Sequence, residues 1–252
     1  MVGKCKLCLR NKSLQKISHI IPSFIYRESD LFHEHNNLIK FDLTKFLEAG
    51  EAKVLSYKQK SGEYDKYIIC KDCDTNIIGN YESYASKFFF ADSLPEDKKL
   101  EIRERKGFVD CLNANYSKLK LFFLSILWRA SVSERPLFSE INLENSFEED
   151  IRRMILTNNP KKDTDYPIFL INSRLDKSLP SDYLFHPIQM KVGKEKGFLF
   201  GFGGMIIIIS LGIEGIPSSH LENRIHENGL VSTYLIPPGA TWELILDWYS
   251  KK

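Results

Sequence analysis

The sequence predicts an α+β protein: a cysteine-bearing N-terminal unit, then a helical segment, then a C-terminal α+β domain with an antiparallel sheet. Two observations carry this prediction. Two Cys-x-x-Cys pairs lie in the first third of the chain, and apolar runs with strand character, separated by Gly, Pro or Asn, fill the last third. The 252 residues suffice for two small domains. The expected segments are 1–92, 93–160 and 161–252, with the last two packed together.

Composition excludes wholesale disorder, since 43% of the residues are hydrophobic and the net charge is only +2. That charge neither requires nor excludes a polyanionic partner. The N-terminus lacks the apolar stretch of a secretory signal, and the strongest apolar run, Met205–Ile213, is far shorter than the roughly 20 residues that span a bilayer. We therefore expect a cytoplasmic protein without a membrane partner.

The N-terminal third is expected to build a strand, a cysteine knuckle and a helix, in the order of a treble-clef or ββα zinc unit. Pro22 should end the first strand, and helical spacing of apolar residues follows the second cysteine pair. The expected elements are a turn at Cys5–Cys8, a strand at Leu14–Pro22, helices at Ser23–Phe32 and Phe41–Gly50, a hairpin at Glu51–Ile69 and a helix at Cys73–Phe90.

Helices are expected next, followed by strands. Ser93 and Glu96 form a capping box, and the helix that follows Tyr116 is apolar on nearly every side, as expected of a core helix. The expected helices are Ser93 to about Lys106, Tyr116–Ala130 and Asn145–Thr157, and the expected strands are Tyr166–Ile171, Phe185–Val192, Gly197–Phe202, Met205–Leu211, Gly229–Ile236 and Trp242–Trp248.

Four of the five cysteines form the two pairs, Cys5 with Cys8 and Cys70 with Cys73. Zinc favours four thiolates in a tetrahedron, and two Cys-x-x-Cys turns can supply them to one ion. The alternatives are unrelated buried cysteines or a single redox motif. The sequence favours one structural Zn²⁺, with Cys111 left as a small buried apolar residue.

The N-terminal motifs resemble the zinc-stabilised HNH nucleases. The resemblance covers roughly the first 90 residues and is carried by Cys5-x-x-Cys8, the block from Ser18 through His19, Ile20 and Ile21 to Pro22, and a strand entering Cys70-x-x-Cys73. It implies metal-dependent cleavage of phosphodiester bonds in nucleic acid, with DNA favoured over RNA. It also implies a setting in phage defence or a mobile element.

The resemblance implies site residues as well. His19 matches the general base, and Mg²⁺ or Mn²⁺ would hold the scissile phosphate. The chain departs from the family at Ser18, where an acid is usual, at Asp74, where His or Asn is usual, and at Asp65, where Asn is common. Asp74 can serve as a metal ligand or as a helix cap or first-turn acid, and His19 can be a structural histidine beside the zinc. Glu82 is a weaker ligand candidate.

Two other interpretations remain open. A scaffold that has lost its catalytic ligands would bind nucleic acid or a protein partner, and Ser18 favours this alternative. A C-terminal domain that senses a small ligand would show a pocket in that half of the chain. Basic residues near the cysteines are candidates for phosphate contacts: Lys4, Lys6, Arg10, Lys12, Lys16 and Arg27.

Overall fold

The computed structural model describes residues 1–28, 32–33, 37–41, 54–58, 62–90, 100–176, 184–241 and 243. Over these residues the fold is α+β, which is the class that the sequence predicts. It has a large mixed sheet and few helices. The chain divides into two compact units, each assembled from three separate stretches. Unit 1 comprises 1–25, 61–99 and 115–162, and unit 2 comprises 26–60, 100–114 and 163–252.

The elements are numbered in chain order. The strands are β1 (Val2–Lys4), β2 (Asn11–Ser13), β3 (Ser18–His19), β4 (Phe32–His33), β5 (Asn37–Phe41), β6 (Val54–Lys58), β7 (Tyr64–Asp65), β8 (Glu101–Arg105), β9 (Phe108–Leu112), β10 (Ile168–Asn172), β11 (Leu184–Val192), β12 (Glu195–Phe202), β13 (Met205–Ser210) and β14 (Val231–Leu235). The helices are α1 (Ser23–Glu28), α2 (Gly79–Phe90), α3 (Tyr116–Val132), α4 (Asn145–Thr157) and α5 (Ser218–Leu221), with a π-helical turn at Cys73–Ile78 that runs directly into α2.

Unit 1 is built around α3. The side chain of Asn115 accepts a hydrogen bond from the Lys118 N–H at 2.9 Å and so caps the start of this helix. Every residue from Leu119 to Ala130 is buried, as the predicted core helix requires, and α2 and α4 both pack against it. The short hairpin of β1 and β2 and the antiparallel pair of β3 and β7 complete the unit.

Unit 2 contains a seven-stranded sheet in the order β11-β12-β13-β10-β14-β9-β8. Strand β13 lies inside the sheet and is buried along its whole length, which explains its run of four isoleucines. Gly203 and Gly204 both adopt positive φ and form the tight turn between β12 and β13. A separate three-stranded sheet comprises β4, β5 and β6.

Several sequence predictions are wrong. The expected helix Ser23–Phe32 does not reach Phe32, which lies on strand β4. The sheet is not purely antiparallel, because β10 and β14 pair in parallel. The segment 93–160 is not wholly helical, since β8 and β9 form a hairpin whose turn contains Gly107 at φ 75°. Residues 51–69 are not one hairpin, because β6 pairs with β5 whereas β7 pairs with β3. Phe41, expected to start a helix, ends strand β5.

Some predicted elements lie outside the described residues. They are the remainder of the Phe41–Gly50 helix, the helix start at Ser93 and most of the strand Trp242–Trp248.

Candidate metal centre and the residues around it

The four paired cysteines gather at one point in unit 1. The Sγ atoms of Cys5, Cys8, Cys70 and Cys73 all lie within 4.8 Å of one another, and none forms a disulfide. Three of the four residues are buried and Cys8 is half-buried. Four sulfur atoms this close together form a donor set that can hold a four-coordinate metal ion such as zinc.

Local backbone geometry produces this cluster. The first pair lies on the turn between β1 and β2, which the Cys5 N–H closes on the Arg10 carbonyl oxygen at 3.0 Å. The second pair lies where the chain enters the helix, and the N–H of Cys70 donates to the Sγ of Cys5 at 3.3 Å. An N–H donated to sulfur stabilises a thiolate, which is the form that binds metal.

The thiols strongly influence one another. A hydrogen bond from the Cys73 thiol, opposed by burial, lowers the pKa of Cys5 to about 4. Burial raises the pKa of Cys70. The hydrogen bond that the Cys73 thiol makes with Cys5, together with burial, raises the pKa of Cys73. Like charges this close disfavour one another, so a bound divalent cation is what would allow all four to ionise together.

Two cationic side chains fix the first knuckle. The buried guanidinium of Arg152 on α4 donates to the Leu7 carbonyl oxygen, and Lys6 Nζ donates to the Val132 carbonyl oxygen at 2.7 Å. Arg152 is itself held by Glu149 through two hydrogen bonds of 2.6 and 2.8 Å. The turn that carries Cys5 and Cys8 is therefore anchored to the end of α3 and to the middle of α4.

His19 lies on β3 and is half-buried. Its strand pairs antiparallel with β7, where His19 is opposite Tyr64 and Ser18 is opposite Asp65, and the ring of Tyr64 lies edge-on to the imidazole with centroids 6.3 Å apart. The backbone carbonyl oxygen of His19 accepts a hydrogen bond from Arg129 at 2.5 Å. Both the backbone and the ring of His19 therefore have defined neighbours.

Asp74 lies inside the helix rather than capping it. Helical structure already begins at Lys71, and the Asp74 N–H donates to the Cys70 carbonyl oxygen at 3.0 Å. Burial raises the pKa of Asp74 to about 6; the charge of Arg129 lowers it, that of Glu82 raises it, and a hydrogen bond with Gln15 lowers it. Asp74 is a first-turn acid, but one turned toward a partly buried charged cluster.

Glu82 and Arg129 form the centre of that cluster. Arg129 Nη1 lies 2.8 Å from Glu82 Oε1, and the arginine side chain is 1% exposed whereas that of Glu82 is 23% exposed. In the sequence, the position of Arg129 at the end of the apolar helix favours core packing, with a pocket beside Trp128 as the alternative. The available signal was a cation within a segment apolar on every side, because a buried charge requires a partner.

Asp65 has a different set of partners. Its Oδ2 accepts hydrogen bonds from Ser133 Oγ at 2.9 Å and from the Glu134 N–H at 3.2 Å, and its Oδ1 accepts one from the Lys66 N–H at 2.7 Å. These contacts tie β7 to the residues that follow α3. The Asp65 carboxylate therefore stabilises the chain where β7 ends.

The three residues proposed as catalytic do not form one ligand set. Within the described ranges, the four cysteines are the one group of three or more Cys, His, Asp or Glu residues whose ligand atoms lie mutually within reach of an ion. The structure describes His19, Asp65 and Asp74, and they do not meet that condition together. Asp74 lies near Arg129 and Glu82, whereas Asp65 faces Ser133.

Unit 2 contains a groove of about 640 Å³ along one part of its sheet. Its walls are mainly apolar, including Phe169, Met190 and Ile208, and Lys191, His220 and Asn223 are its polar neighbours. Among the helices in the described part of the chain, none is both long and apolar enough to cross a membrane.

Comparison with known proteins yields no relative, because no protein-family model, curated protein or solved structure matches this chain. The HNH resemblance of the first 90 residues therefore stays a prediction from motifs.

Proposed function

We propose that the protein is an HNH-like, metal-dependent nuclease whose N-terminal unit is a treble-clef fold held by one structural zinc ion. The observation that carries the proposal is the arrangement in unit 1. A strand bearing His19 pairs antiparallel with β7, the chain continues through the second cysteine pair, and a helix bearing Asp74 follows. The order strand, strand, helix around the cysteine cluster supports the proposal.

Zinc would be a scaffold in this unit. Four thiolates leave no open ligand position, so catalysis needs other groups. His19 would accept the proton of the attacking water. Asp74 would hold Mg²⁺ or Mn²⁺, which supplies charge stabilisation at the scissile phosphate when bound, and a single carboxylate with water and phosphate oxygens is an ordinary donor set for these ions. Arg129 holds the backbone of His19 in place.

Charge supports a nucleic-acid substrate, and the resemblance favours DNA over RNA. Residues 1–27 contain six basic side chains and no acidic one, although the whole chain is nearly neutral. Lys4, Arg10 and Lys16 are exposed on this segment. Exposed cations that lie close in sequence to the strand of the candidate base favour contacts with phosphates.

The proposal is tested by cleavage of supercoiled plasmid and of circular single-stranded DNA by zinc-loaded protein, with Mg²⁺ or Mn²⁺ added. Loss of a general base typically lowers the rate about 10²–10⁴-fold, so His19→Ala should lose at least a hundredfold. His220→Ala, an exposed histidine of unit 2, is the matched control and should cleave like the wild type. Equal cleavage by the wild type and His19→Ala would remove His19 from the mechanism.

A second pair of variants tests the metal ligand. Asp74→Asn should abolish stimulation by Mg²⁺ or Mn²⁺, because the amide is a much weaker ligand for hard cations. Asp72→Asn changes an exposed carboxylate two residues away and should retain the stimulation. Equal stimulation of the two variants would contradict the role of Asp74.

The second candidate function is a binding module without catalysis. It is favoured by the engagement of Asp65 with Ser133 and Glu134, and by Ser18, which is fully buried where the family has an acid. A titration with Mn²⁺ followed by electron paramagnetic resonance separates the two functions. The nuclease should bind a second, weaker divalent ion beside one zinc, whereas the binding module should bind zinc alone.

A further inference from the structure

Four exposed residues of unit 1 flank the strand pair of β3 and β7, which carries His19. They are Lys16 and Ile17, which precede β3, and Lys66 and Tyr67, which follow β7. The two stretches run antiparallel: Ser18 is opposite Asp65, and the N–H of Tyr67 donates to the Gln15 carbonyl oxygen at 2.9 Å. By this register Ile17 lies opposite Lys66, and Lys16 lies opposite Tyr67. We name these four residues the Tyr67 face.

The chemistry of the Tyr67 face is cationic and aromatic. Both lysines are exposed, Ile17 is 44% exposed and Tyr67 is 37% exposed. Within the part of the chain that the structure describes, neither lysine side chain forms an ion pair. The neighbouring acids already have partners, since Asp65 binds Ser133, Asp72 pairs with Lys12 and Glu134 pairs with Lys6.

The backbone of Tyr67 adds a second, independent observation. Its φ is 60°, in the left-handed region that bulky side chains rarely adopt and that glycine or asparagine occupies with less strain. Hydrogen bonds on both sides hold this conformation, from the Tyr67 N–H to Gln15 and from the Lys66 N–H to the Asp65 carboxylate. The ring of Tyr67 is thus held at the surface in a strained backbone conformation, where it is available for contact with a partner.

We propose that the Tyr67 face binds the substrate as a single strand of nucleic acid, with Tyr67 stacked on an unpaired base and Lys16 and Lys66 on flanking phosphates. The inference rests on the proposed nuclease function and specifies its substrate class. In a duplex the faces of the bases are stacked on one another and the phosphates lie outside. A duplex can therefore contact Lys16 and Lys66, but its bases cannot stack on the ring of Tyr67. His19 follows Lys16 by three residues, which is at most about 10 Å along the chain, so a bound single strand several nucleotides long spans the distance to the candidate base.

The test measures binding without cleavage. Fluorescein-labelled 20-mers of dT and of rU, and a duplex of the same length, are titrated with zinc-loaded full-length protein in the absence of Mg²⁺ and Mn²⁺, and anisotropy gives the Kd. Loss of a stacking platform should weaken single-strand binding by about 5- to 150-fold in Tyr67→Ala, whereas Tyr67→Phe should stay within about twofold of the wild type. Duplex binding should change little in either variant.

The lysines are tested by the salt dependence of binding. The slope of log Kd against log salt for single strands should fall by about 0.7 for each lysine, hence about 1.4 in the double variant Lys16→Ala, Lys66→Ala. Lys106→Ala changes an exposed lysine of the β8–β9 turn, and Tyr234→Ala changes a tyrosine of similar exposure in unit 2. Both controls should bind like the wild type. Zinc content and circular dichroism verify that each variant is folded.

The results can separate this inference from the proposed function. Wild-type protein that binds no single strand, unchanged binding by Tyr67→Ala, or an equal loss with Tyr67→Phe would overturn the inference. Cleavage that depends on His19 could still be intact in that case. Conversely, the protein could bind single strands through Tyr67 and cleave nothing with any divalent ion. That result would support binding at the Tyr67 face and exclude the proposed nuclease function.

Discussion

Arg129 donates a hydrogen bond of 2.5 Å to the backbone carbonyl oxygen of His19, across 110 positions of sequence. The same nitrogen lies 2.8 Å from Glu82 Oε1, and Arg129 Nε donates to the Ser125 carbonyl oxygen at 3.1 Å. One buried guanidinium therefore links the core helix α3 to the strand of His19 and to helix α2. Arg129 therefore helps to fix the position of His19, although none of these hydrogen bonds involves the His19 imidazole.

Replacement of Arg129 should destabilise the protein severely. Arg129→Met keeps most of the side-chain volume but leaves the Glu82 carboxylate and the His19 carbonyl oxygen without their donor. Breaking a buried ion pair from one side typically costs about 3–5 kcal/mol in the free energy of unfolding. Urea unfolding followed by circular dichroism measures this loss. The double variant Arg129→Met, Glu82→Gln should lose less than the sum of the single variants, because the unpaired carboxylate is gone.

The control for this prediction is Arg153→Met. Arg153 pairs with Glu149 at 2.7 Å, but its side chain is 70% exposed, so the replacement should cost no more than about 1 kcal/mol. A loss in Arg129→Met as small as that in Arg153→Met would show that the buried network contributes nothing net.

The cysteine cluster predicts one zinc ion per chain. Cys70→Ser removes a buried ligand and should reduce bound zinc, measured by elemental analysis after gel filtration, from one equivalent to well below half. Its melting temperature should fall together with that of wild-type protein treated with a strong chelator, because metal-binding free energy contributes to folding. Cys111→Ser changes the one cysteine outside the cluster and should retain full zinc. Full zinc in Cys70→Ser would exclude the four-sulfur site.

The elements that could be predicted from sequence are those with a strong local signal. Helix α3 is apolar at almost every position, and β13 is a run of branched apolar residues, so burial and element type followed directly. The β8–β9 hairpin gave no such signal. All five residues of β8 are exposed, and an exposed edge strand rich in Glu and Arg has no apolar face to produce a period of two. The parallel pairing of β10 and β14 depends on segments about 60 residues apart, which local patterns cannot reveal.

The residues of the candidate site also differ in whether the sequence alone could reveal them. The cysteines and His19 were recognisable because their spacing is a sequence pattern. The partners of Arg129 and Asp65 were not, since those contacts join residues 47 and 68 positions apart. An aspartate five residues before a cysteine looks the same in sequence whether it binds a metal or a serine hydroxyl. Only packing distinguishes the two.

Acid should weaken unit 2 through Asp163. Burial opposes ionisation of this carboxyl, but the hydrogen bond and charge of Arg224, 2.9 Å away, outweigh burial and lower its pKa. Because the pKa is lower in the folded state, the stabilisation is complete above the pKa of the unfolded chain, near 4, and is lost as the pH falls further. Asp163→Asn should lose about 1–3 kcal/mol at pH 7, and the difference from the wild type should shrink below pH 4.

The measurement for Asp163 is urea unfolding between pH 3 and pH 7. Glu214→Gln is the control, because its ion pair with Lys194 is about two-thirds exposed and should contribute little at any pH in that range. A difference between Asp163→Asn and the wild type that stays constant down to pH 3 would contradict the assigned pKa shift.

Cys111 should react slowly with alkylating agents. Burial raises the pKa of its thiol to about 11, and its Sγ lies 3.9 Å from the Leu112 carbonyl oxygen. Only the thiolate is nucleophilic, so at pH 8 iodoacetamide should modify Cys111 roughly 100-fold more slowly in zinc-loaded native protein than in protein unfolded in urea. The native rate should rise about tenfold per pH unit and level off near pH 11, whereas the unfolded rate should level off near pH 9.

Because the pKa of the Cys111 thiol is higher in the folded state, the thiol stabilises the fold below about pH 9, and this stabilisation disappears as the pH rises through 11. Cys111→Ser should remove that part of the alkaline dependence. A native alkylation rate that levels off by pH 9, measured by peptide mass spectrometry, would show that the thiol is effectively solvated.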